Sequence, residues 1–532
     1  MDFNSGQFWS SPITYAVFLP AVGALVMLLI PRQQEMTHKV LALITSLVTL
    51  GIGIYILTQF DYSAGSRLQG VVDTNWIDAI NARYIVGLDG ISLPLFALTL
   101  LVVPLCVIYS MDHIPAPGNA KAFLILILVL ETGMLGSFVA IDLVLFFVFF
   151  EVVLLPMYFL IGVWGGEQRQ YASIKFFLYT LFGSALMIVA FLALYFLTKN
   201  PDGSAAQTFD IRQLQALSGS SIGRTTQLLI FGGMFVGFGI KVPMFPFHTW
   251  LPDAHTQAPT VGSVILAAVL LKLGTYGFVR IAIPVLPEAA QSWAPIIGLL
   301  AVIGIIYGAL CCLAQTDMKR LIAFSSVAHM GYVMLGIATL TPFGINAAIF
   351  GMVAHGLITG MLFFLAGSTK ERYHTLEIRR LGGLLKSAPR MGWILGFCSM
   401  ASLGLPGLAG FWGEFPAILS SYNPANPTRA TVLFGWSNEV VFRIFMVLAA
   451  IGTVLAAGYL LYLYQRVAFG EPKEEFADDP HIHDVNAFEW VSWVPLLVGI
   501  VLLGVYPNIV FSVTNETVAP AVQQIAAAVG GG

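Results

Sequence analysis

The chain contains one apolar stretch of membrane-spanning length after another. A membrane helix needs about 20 consecutive, mostly apolar residues, and a lipid interior accepts only helices or closed barrels because every backbone polar group must be satisfied. Such stretches occupy residues 13–30, 39–59, 88–109, 121–139, 141–163, 172–197, 226–247, 259–283, 293–313, 320–340, 343–366, 391–418, 439–466 and 488–512. We therefore predict an all-α polytopic membrane protein with about 14 transmembrane helices.

Composition excludes the other large classes of protein. Hydrophobic residues make up 58% of the 532 residues and charged residues only 10%, against about 25% charged residues in a soluble domain. The net charge of −3 gives no reason to expect nucleic acid as a partner. The four cysteines lie in apolar runs, so neither disulfides nor a metal site is expected.

Charged loop residues predict the orientation in the membrane. Most lysines and arginines fall in loops that follow odd-numbered segments, above all in the loop at 367–390. Cytoplasmic loops carry the excess of lysine and arginine in membrane proteins. Both chain ends are therefore expected on the outer side, which is periplasmic if the protein lies in a bacterial inner (plasma) membrane.

Several ionisable residues lie inside the predicted spans, where one charge costs about 2.5–3.5 kcal/mol. They are Glu131, Glu151, Lys241, Lys272, His329, His355 and Glu414. One interpretation is that they pair with one another and hold the bundle together. The other is a proton path, since such a path requires a row of groups that each gain and lose a proton. The row favours the path, although Glu131 could simply tune or neutralise a neighbour.

Backbone breaks accompany two of these residues. Lys241 is followed by Pro243 and Pro246, and Glu414 comes shortly after Gly404-Leu-Pro-Gly. Broken helices at membrane depth are tolerated where they line a buried or water-filled cavity, and they mark the sites of many transporters. We predict that the seventh and twelfth helices are broken and that both breaks serve a transport site.

The positions of these two breaks suggest an internal repeat. Helices 4–8, at 121–283, and helices 9–13, at 284–469, form two five-helix units, each with a break in its fourth helix. Because five is odd, consecutive units must have opposite orientations, as in an inverted repeat. Residues 1–120 would supply the first three helices, and residues 470–532 a loop, the last helix and a C-terminal tail.

Four motifs identify a family. The stretches KVPMFPFHTWLPDAHTQAPT, VILAAVLLKLGTYG, DMKRLIAFSSVAHMGYVMLG and SLGLPGLAGFWGEF resemble the proton-conducting, antiporter-type membrane subunits of respiratory complex I. The resemblance covers roughly residues 80–470. Within the family the chain is most similar to the M-type, because Glu414 stands where L- and N-type relatives usually have lysine. The sequence also ends soon after its last span, where the L-type continues into a long lateral helix.

The resemblance implies roles for matching residues. Glu151 and Lys241 resemble the essential glutamate–lysine pair of the fifth and seventh helices. Lys272 resembles the connecting lysine of the eighth helix, and Glu414 the terminal site of the twelfth. These residues would hand a proton along the membrane plane.

Histidines complete the implied path. His329 and His355 match polar relay positions between Lys272 and the terminal glutamate. His248 lies beyond the break in the seventh helix and serves either the path or the break itself.

The resemblance also implies the source of energy and the partners. The chain has no nucleotide-binding loop and no cysteine cluster for iron–sulfur, so no cofactor or metal is expected in it. As a subunit of NADH:quinone oxidoreductase it would depend on partner subunits that hold FMN, iron–sulfur clusters and quinone. Its neighbours in the bilayer would be the L- and N-type subunits, together with other membrane and peripheral subunits of complex I. The alternatives are a subunit of a multisubunit cation/proton antiporter and a non-transporting membrane scaffold.

Overall fold

The computed structural model describes residues 2–4, 6–425, 431–476 and 479–530, with side chains as far as residue 523. The described chain is mostly helical, and 12 of its helices are long and apolar enough to cross a membrane. The prediction of a helical, multi-pass membrane protein is confirmed.

The helices and strands follow one another along the chain with short connections. The first half contains α1 (Pro12–Leu29), α2 (Glu35–Gln59), β1 (Gln69–Ile77), β2 (Ala82–Leu88), α3 (Ser92–Tyr109), α4 (Ala120–Val139), α5 (Leu143–Val152), α6 (Leu154–Trp164), α7 (Arg169–Leu197), α8 (Ile211–Ser221), α9 (Arg224–Lys241) and α10 (Trp250–Gln257). The second half contains α11 (Thr260–Ile265), α12 (Leu271–Gly277), α13 (Ile283–Val285), α14 (Pro287–Leu313), α15 (Met318–Ala338), α16 (Pro342–Tyr373), α17 (Leu384–Ser387), α18 (Pro389–Ser402), α19 (Ala409–Ser420), α20 (Asn438–Ala468), α21 (Ala487–Val505) and α22 (Asn508–Gly530).

Three spans form the centre of the bundle. The most apolar windows of Thr260–Val285, α15 and α16 are completely buried inside the protein, whereas those of α2 and α20 are only one-third buried. Outer helices can leave apolar faces uncovered because lipid tails are as apolar as their side chains. Lys272, His329 and His355, which these spans carry at mid-length, are each less than 9% exposed.

The helical conformation is interrupted between α9 and α10, directly after Lys241. Pro243 and Pro246 lack the N–H groups that would continue the helix. The Trp250 indole Nε1 donates to the carbonyl oxygen of Ile240 at 2.9 Å, which satisfies one carbonyl at the end of α9. The break is thus a fixed structure in which a side chain replaces part of the missing backbone hydrogen bonding.

A second interruption separates α18 from α19. Gly404 and Gly407 adopt positive φ angles of +80° and +93°, which residues with a Cβ rarely adopt, and Pro406 lies between them. The chain turns here and resumes as α19, which carries Glu414 in its second turn.

The span from Thr260 to Val285 contains two π-helical segments, Leu266–Leu270 and Phe278–Ala282. A π-turn inserts about one extra residue into the helical turn and is frequently found at functional sites. The first segment ends two residues before Lys272, so it changes the carbonyls available to that side chain.

One feature contradicts the prediction of an entirely α-helical chain. Strands β1 and β2 form an antiparallel hairpin in which Thr74 pairs with Tyr84 and Ile77 with Ala82. Its turn uses Asn81 with a φ of +52°, a conformation that asparagine tolerates better than most residues. The hairpin was missed because the search for long apolar stretches does not register two strands between spans.

The C-terminal tail also has more structure than predicted. Helix α21 ends at Val505, before Pro507, and α22 starts at Asn508, so the stretch predicted at 488–512 divides between two helices. Thr517 of α22 forms hydrogen bonds to the segments on either side of the β1–β2 hairpin. Its hydroxyl donates to the Gly65 carbonyl at 2.6 Å and accepts from the Gly90 N–H at 3.1 Å.

Candidate functional site

Four ionisable side chains form a row through the buried centre of the bundle. The Lys272 ammonium donates to His355 Nδ1 at 2.6 Å. The ring centroids of His355 and His329 are 6.1 Å apart. His329 Nδ1 lies 2.5 Å from Glu414 Oε1. These contacts link α12, α16, α15 and α19, and we call these four residues the central row.

The π-turn before Lys272 sets one end of the central row. The Lys272 ammonium donates to the carbonyl oxygen of Ala267, five residues earlier, as well as to His355. A buried ammonium needs such acceptors because water is absent. The widened turn supplies one of these acceptors as a backbone carbonyl. No carboxylate therefore neutralises the charge of Lys272 by direct contact.

The other end of the central row is oriented by hydroxyl groups. His329 Nε2 lies 3.1 Å from the Ser402 hydroxyl and 3.2 Å from the Tyr459 hydroxyl. A neutral imidazole carries one donor and one acceptor nitrogen. With Nδ1–H directed at the Glu414 carboxylate, Nε2 accepts from these hydroxyls, which fixes the ring and its tautomer.

A small cavity of about 20 Å³ lies between the two halves of the central row. His355, His329 and Glu414 line it. One water needs about 10–15 Å³ measured in this way. Within the described chain, His355 Nε2 and Glu414 Oε2 have no hydrogen-bond partner. The cavity therefore has both the room and the polar groups to hold a water.

Glu151 and Lys241 lie in a separate group. The Ser184 hydroxyl donates to the Glu151 carboxylate, while the Lys241 ammonium lies 4.6 Å from the centroid of the Phe150 ring. The two charges act on each other, but among the described residues they form no contact ion pair within 4.0 Å.

The helix that carries Lys272 packs closely, backbone against backbone, on the end of the helix that carries Lys241. A Cβ at Gly274, two residues after Lys272, would lie 2.6 Å from the Phe238 carbonyl oxygen and 3.0 Å from the Val242 nitrogen. The absence of a side chain at Gly274 therefore lets α12 approach the end of α9, where Lys241 stands.

Glu131 and His248 lie apart from both groups. Glu131 is fully buried in α4, and in the described part of the chain neither of its carboxyl oxygens has a hydrogen-bond partner. The His248 ring packs against Phe245 and Tyr307, with centroids 5.7 Å and 5.0 Å away. Neither residue contacts the central row directly.

Two buried ion pairs were not predicted from the sequence. Arg280 pairs with Asp89, and Arg372 with Glu489, and all four residues are less than 9% exposed. The signal for Arg280 was its place in GTYGFVRIAIP, an apolar run that continues past the charge. For Arg372 no such signal exists, since lysine and glutamate precede it.

Outside the spans, Asp142 caps the start of α5. One of its oxygens accepts from the backbone N–H groups of Val144 and Leu145, and the other from that of Arg83. Burial raises the pKa of this carboxyl to about 6, although those three N–H groups favour the charged form. It is thus a structural cap with an acid-sensitive charge.

In the described residues, no group of three or more His, Cys, Asp and Glu is arranged to hold a metal ion. The buried lysine, histidine and glutamate side chains of the central row are groups that can each exchange a proton.

Two family models match the chain. The model described as NADH:quinone oxidoreductase/Mrp antiporter, TM, matches residues 140–437. The model described as NADH-ubiquinone oxidoreductase chain 4, amino terminus, matches residues 15–136. Together they cover both groups of ionisable residues.

Relatives match over nearly their full length. NADH-quinone oxidoreductase subunit M of Rickettsia prowazekii is 40% identical over 509 residues, which is 95% of this chain and 97% of the relative. The subunit M of Rhodobacter capsulatus is 41% identical over 524 residues, covering 97% and 98%. NADH-ubiquinone oxidoreductase chain 4 of Arabidopsis thaliana is 38% identical over 508 residues, covering 95% and 96%.

Solved structures share the fold. A chain of respiratory complex I from Thermus thermophilus superposes with a TM-score of 0.83 at 29% identity, covering 96% of this chain and 99% of that one. A chain of the Mrp complex from Dietzia sp. DQ12-45-1b gives 0.81 at 19% identity, covering 98% and 100%. At that identity the second likeness is one of fold alone.

Proposed function

Because the chain belongs to the subunit M family of NADH-quinone oxidoreductases, the proton-translocating membrane subunits of complex I, we propose that its central row is the path that the proton follows. The observation that carries this proposal is the central row itself: hydrogen bonds join Lys272 to His355 and His329 to Glu414, and a water-sized cavity lies beside the two histidine rings, whose centroids are 6.1 Å apart. Both ends are proton-exchanging groups: Lys272 is completely buried, and the Glu414 side chain is 13% exposed.

In the proposed transfer, the Lys272 ammonium gives a proton to His355 Nδ1, with which it already shares a hydrogen bond. His355 releases its other proton from Nε2 into a water held in the 20 Å³ cavity. That water passes a proton on to the Glu414 carboxylate, directly or by way of His329. His355 and the water each accept one proton and release one, so the net result is the transfer of one proton from Lys272 to Glu414.

Glu151 and Lys241 supply the proton that enters this path at Lys272. The Glu151 carboxylate favours the protonated form of Lys241 while the two interact. In the structure the Ser184 hydroxyl donates a hydrogen bond to the Glu151 carboxylate, and the Lys241 ammonium lies over the Phe150 ring. This arrangement supports a weakened pair, from which the proton moves toward Lys272. His248 serves the broken segment next to Lys241, and Glu131 tunes the field of the first five-helix unit.

We further propose the arrangement of the chain in its membrane. It crosses a bacterial inner membrane 14 times, with both ends periplasmic and with inverted five-helix units at 121–283 and 284–469. Loops that follow odd-numbered helices contact one another at one end of the bundle, as Gly166 does with Gln257 and Met318 with Leu376, which supports this topology.

Energy for the transfer comes from other subunits of complex I. Moving one proton against about 100 mV requires roughly 2.3 kcal/mol. We propose that partner subunits holding FMN, iron–sulfur clusters and quinone supply this work. The exposed apolar faces of outer helices such as α2 and α20 suit contact with L- and N-type neighbours and with lipid.

The test replaces central-row residues in the intact complex. Lys272→Met and Glu414→Gln remove an exchangeable charge with little change in size. In inverted membrane vesicles we expect NADH-driven proton uptake to fall about tenfold or more, the scale of lost acid–base function. The matched control is Lys386→Ala, which removes an ammonium that is 57% exposed and paired with an exposed Glu471.

Two results would contradict the proposal. One is normal pumping by an assembled complex that carries Lys272→Met, which would favour a non-transporting scaffold. The other is normal pumping with Lys241→Ala or Glu151→Ala, which would remove the loading step and leave the central row in place.

A further inference from the structure

A wide cavity opens at the end of the bundle that is predicted to be cytoplasmic. Its volume is 660 Å³, and ligand pockets usually measure about 300–1,000 Å³. Two segments form its wall, the turn at 378–382 and the end of α20 with the chain that follows it, at 462–473. We call it the cationic pocket, after the three positively charged side chains in its wall, Arg379, Arg466 and Lys473.

These three cations have no carboxylate of their own, since within the described ranges none of them forms an ion pair. The next cation along the chain, Arg380, pairs with Glu475. Lys386 pairs with Glu471, the one carboxylate that the described wall contains. The cationic pocket therefore keeps an excess of positive charge, which favours an anionic ligand.

Contacts within the chain hold the wall of the pocket in place. The Gly383 N–H donates to the Phe469 carbonyl oxygen at 3.0 Å. Gly383 has a φ of +69°, and a Cβ there would collide with the Pro472 nitrogen, so the turn packs closely on the chain after α20. The Arg466 guanidinium lies 5.4 Å from the centroid of the Tyr462 ring. A ligand thus meets a wall that is already shaped, and its binding orders few side chains.

An apolar groove on the outer face of α20 leads into the pocket. Val454 and Leu461 are 72% and 45% exposed, and a Cβ at Gly458, between them, would meet nothing within 4 Å. Residues three and four apart lie on the same helix face, so this face continues to Gln465 in the pocket wall. Because α20 is an outer span, only one-third buried, its groove is open to acyl chains.

We propose that the cationic pocket binds the phosphate of an anionic phospholipid, with one acyl chain of that lipid along the groove of α20. Guanidinium and ammonium groups are the side chains that bind phosphate oxygens, and basic pockets between helices at the cytoplasmic surface recognise such headgroups. The bound phosphate also reduces the mutual repulsion of the three cations. It thereby joins the turn at 378–382 to α20, whose Tyr459 contacts His329 of the central row.

The first test uses the intact complex in detergent and a phosphatidylglycerol with a photoactivatable group in one acyl chain. Mass spectrometry should find the cross-linked lipid on residues 454–469. In the triple variant Arg379→Gln, Arg466→Gln and Lys473→Gln this cross-link should fall about hundredfold, since each cation near a membrane surface contributes a factor of roughly five. An undiminished cross-link in the triple variant overturns the proposal.

The matched control removes three cations from the same end of the bundle, by Arg32→Gln, Arg169→Gln and Arg390→Gln. All three are exposed, and none of them lines the pocket. This variant changes the net charge equally and should keep the cross-link. An equal loss in the control would show general attraction to the membrane and overturn the site. Equal cross-linking by a phosphatidylcholine with the same acyl chains would overturn the headgroup assignment.

Inorganic phosphate is the other source of the same chemistry. Lys473 is exposed, so its acetylation by an N-hydroxysuccinimide ester reports whether the pocket is occupied. Phosphatidylglycerol added to the delipidated complex should slow this acetylation, and inorganic phosphate alone should not. Equal protection by inorganic phosphate overturns the assignment to a lipid, and protection by neither overturns the pocket.

Discussion

Replacing Arg372 with alanine should destabilise the subunit strongly. The Arg372 guanidinium is 2% exposed and makes two hydrogen bonds to the fully buried Glu489 carboxylate, at 2.8 Å and 2.7 Å. Its Nε also donates to the His483 carbonyl oxygen at 2.6 Å. Removing one partner of a buried pair costs about 3–5 kcal/mol because the other charge stays buried and unpaired.

An exposed pair provides the matched control. Arg380 and Glu475 form the same kind of ion pair with side chains that are 48% and 43% exposed. Such exposed pairs contribute little, because water screens the two charges. A cost of about 3 kcal/mol for Arg372→Ala corresponds to about two orders of magnitude in the equilibrium between folded and unfolded subunit.

The assay heats the detergent-solubilised complex and follows this tagged subunit on native gels. Arg372→Ala should lower the midpoint temperature of its release, and Arg380→Ala should not. The double replacement Arg372→Met with Glu489→Met should recover part of the loss, since no unpaired charge remains. Equal midpoints for Arg372→Ala and Arg380→Ala would refute the reasoning.

The same pair should matter little for proton transfer. Arg372 lies 17 residues after His355 on α16, which at 1.5 Å per residue is about 25 Å along the helix. Complexes that remain assembled with Arg372→Ala should therefore pump at rates near normal. A large loss of pumping without loss of assembly would place Arg372 in the path.

Three further predictions concern packing, pH and the orientation of one ring. Gly274→Ala places a Cβ 2.6 Å from a backbone carbonyl of α9, so native gels should show less assembled complex, whereas Gly458→Ala, which meets open space, should have no effect. For Asp142, a folded pKa of about 6 against an unfolded value near 4 means that its contribution to stability is complete below pH 4 and is lost as the pH rises through 6. Asp142→Asn should flatten the pH dependence of the release temperature between pH 4 and 6, and an unchanged slope would contradict this. Tyr459→Phe removes one of two hydroxyls at His329 Nε2 and should slow proton uptake by less than about tenfold; a complete loss would assign the tyrosine a place in the path.

The sequence predicted those parts of the fold that follow from local chemistry. Apolar stretches of sufficient length revealed the spans, and prolines and glycines beside Lys241 and Glu414 revealed where helices stop. Both signals act through the backbone of the residues that carry them. The hairpin β1–β2 gave no such signal, because short strands between spans depend on packing against the bundle.

Contacts between distant residues could not be predicted in the same way. Glu151 and Lys241 were expected to pair, yet Ser184 accompanies the first and Phe150 the second. Lys319 lies next to Arg320 at a helix start, a position that predicts exposure, yet it is buried and donates to the carbonyl oxygen of Ala258, just after α10. Burial of a charge at a span end is decided by which helix packs over it, and that is a property of the tertiary fold.

The buried ionisable residues are of two kinds, which differ in whether all their hydrogen-bonding positions are used. Arg372 and Glu489 satisfy each other through two direct hydrogen bonds, so neither group can release or gain a proton without leaving a buried charge unpaired. His355 and Glu414 keep one open position each, His355 Nε2 and Glu414 Oε2, and both residues line the small cavity. An open position is costly to stability but is what a group needs if it must exchange a proton with water. Complete bonding suits a pair that holds the bundle together, and in the proposed path the open positions of His355 and Glu414 are where a proton is exchanged with the water of the small cavity.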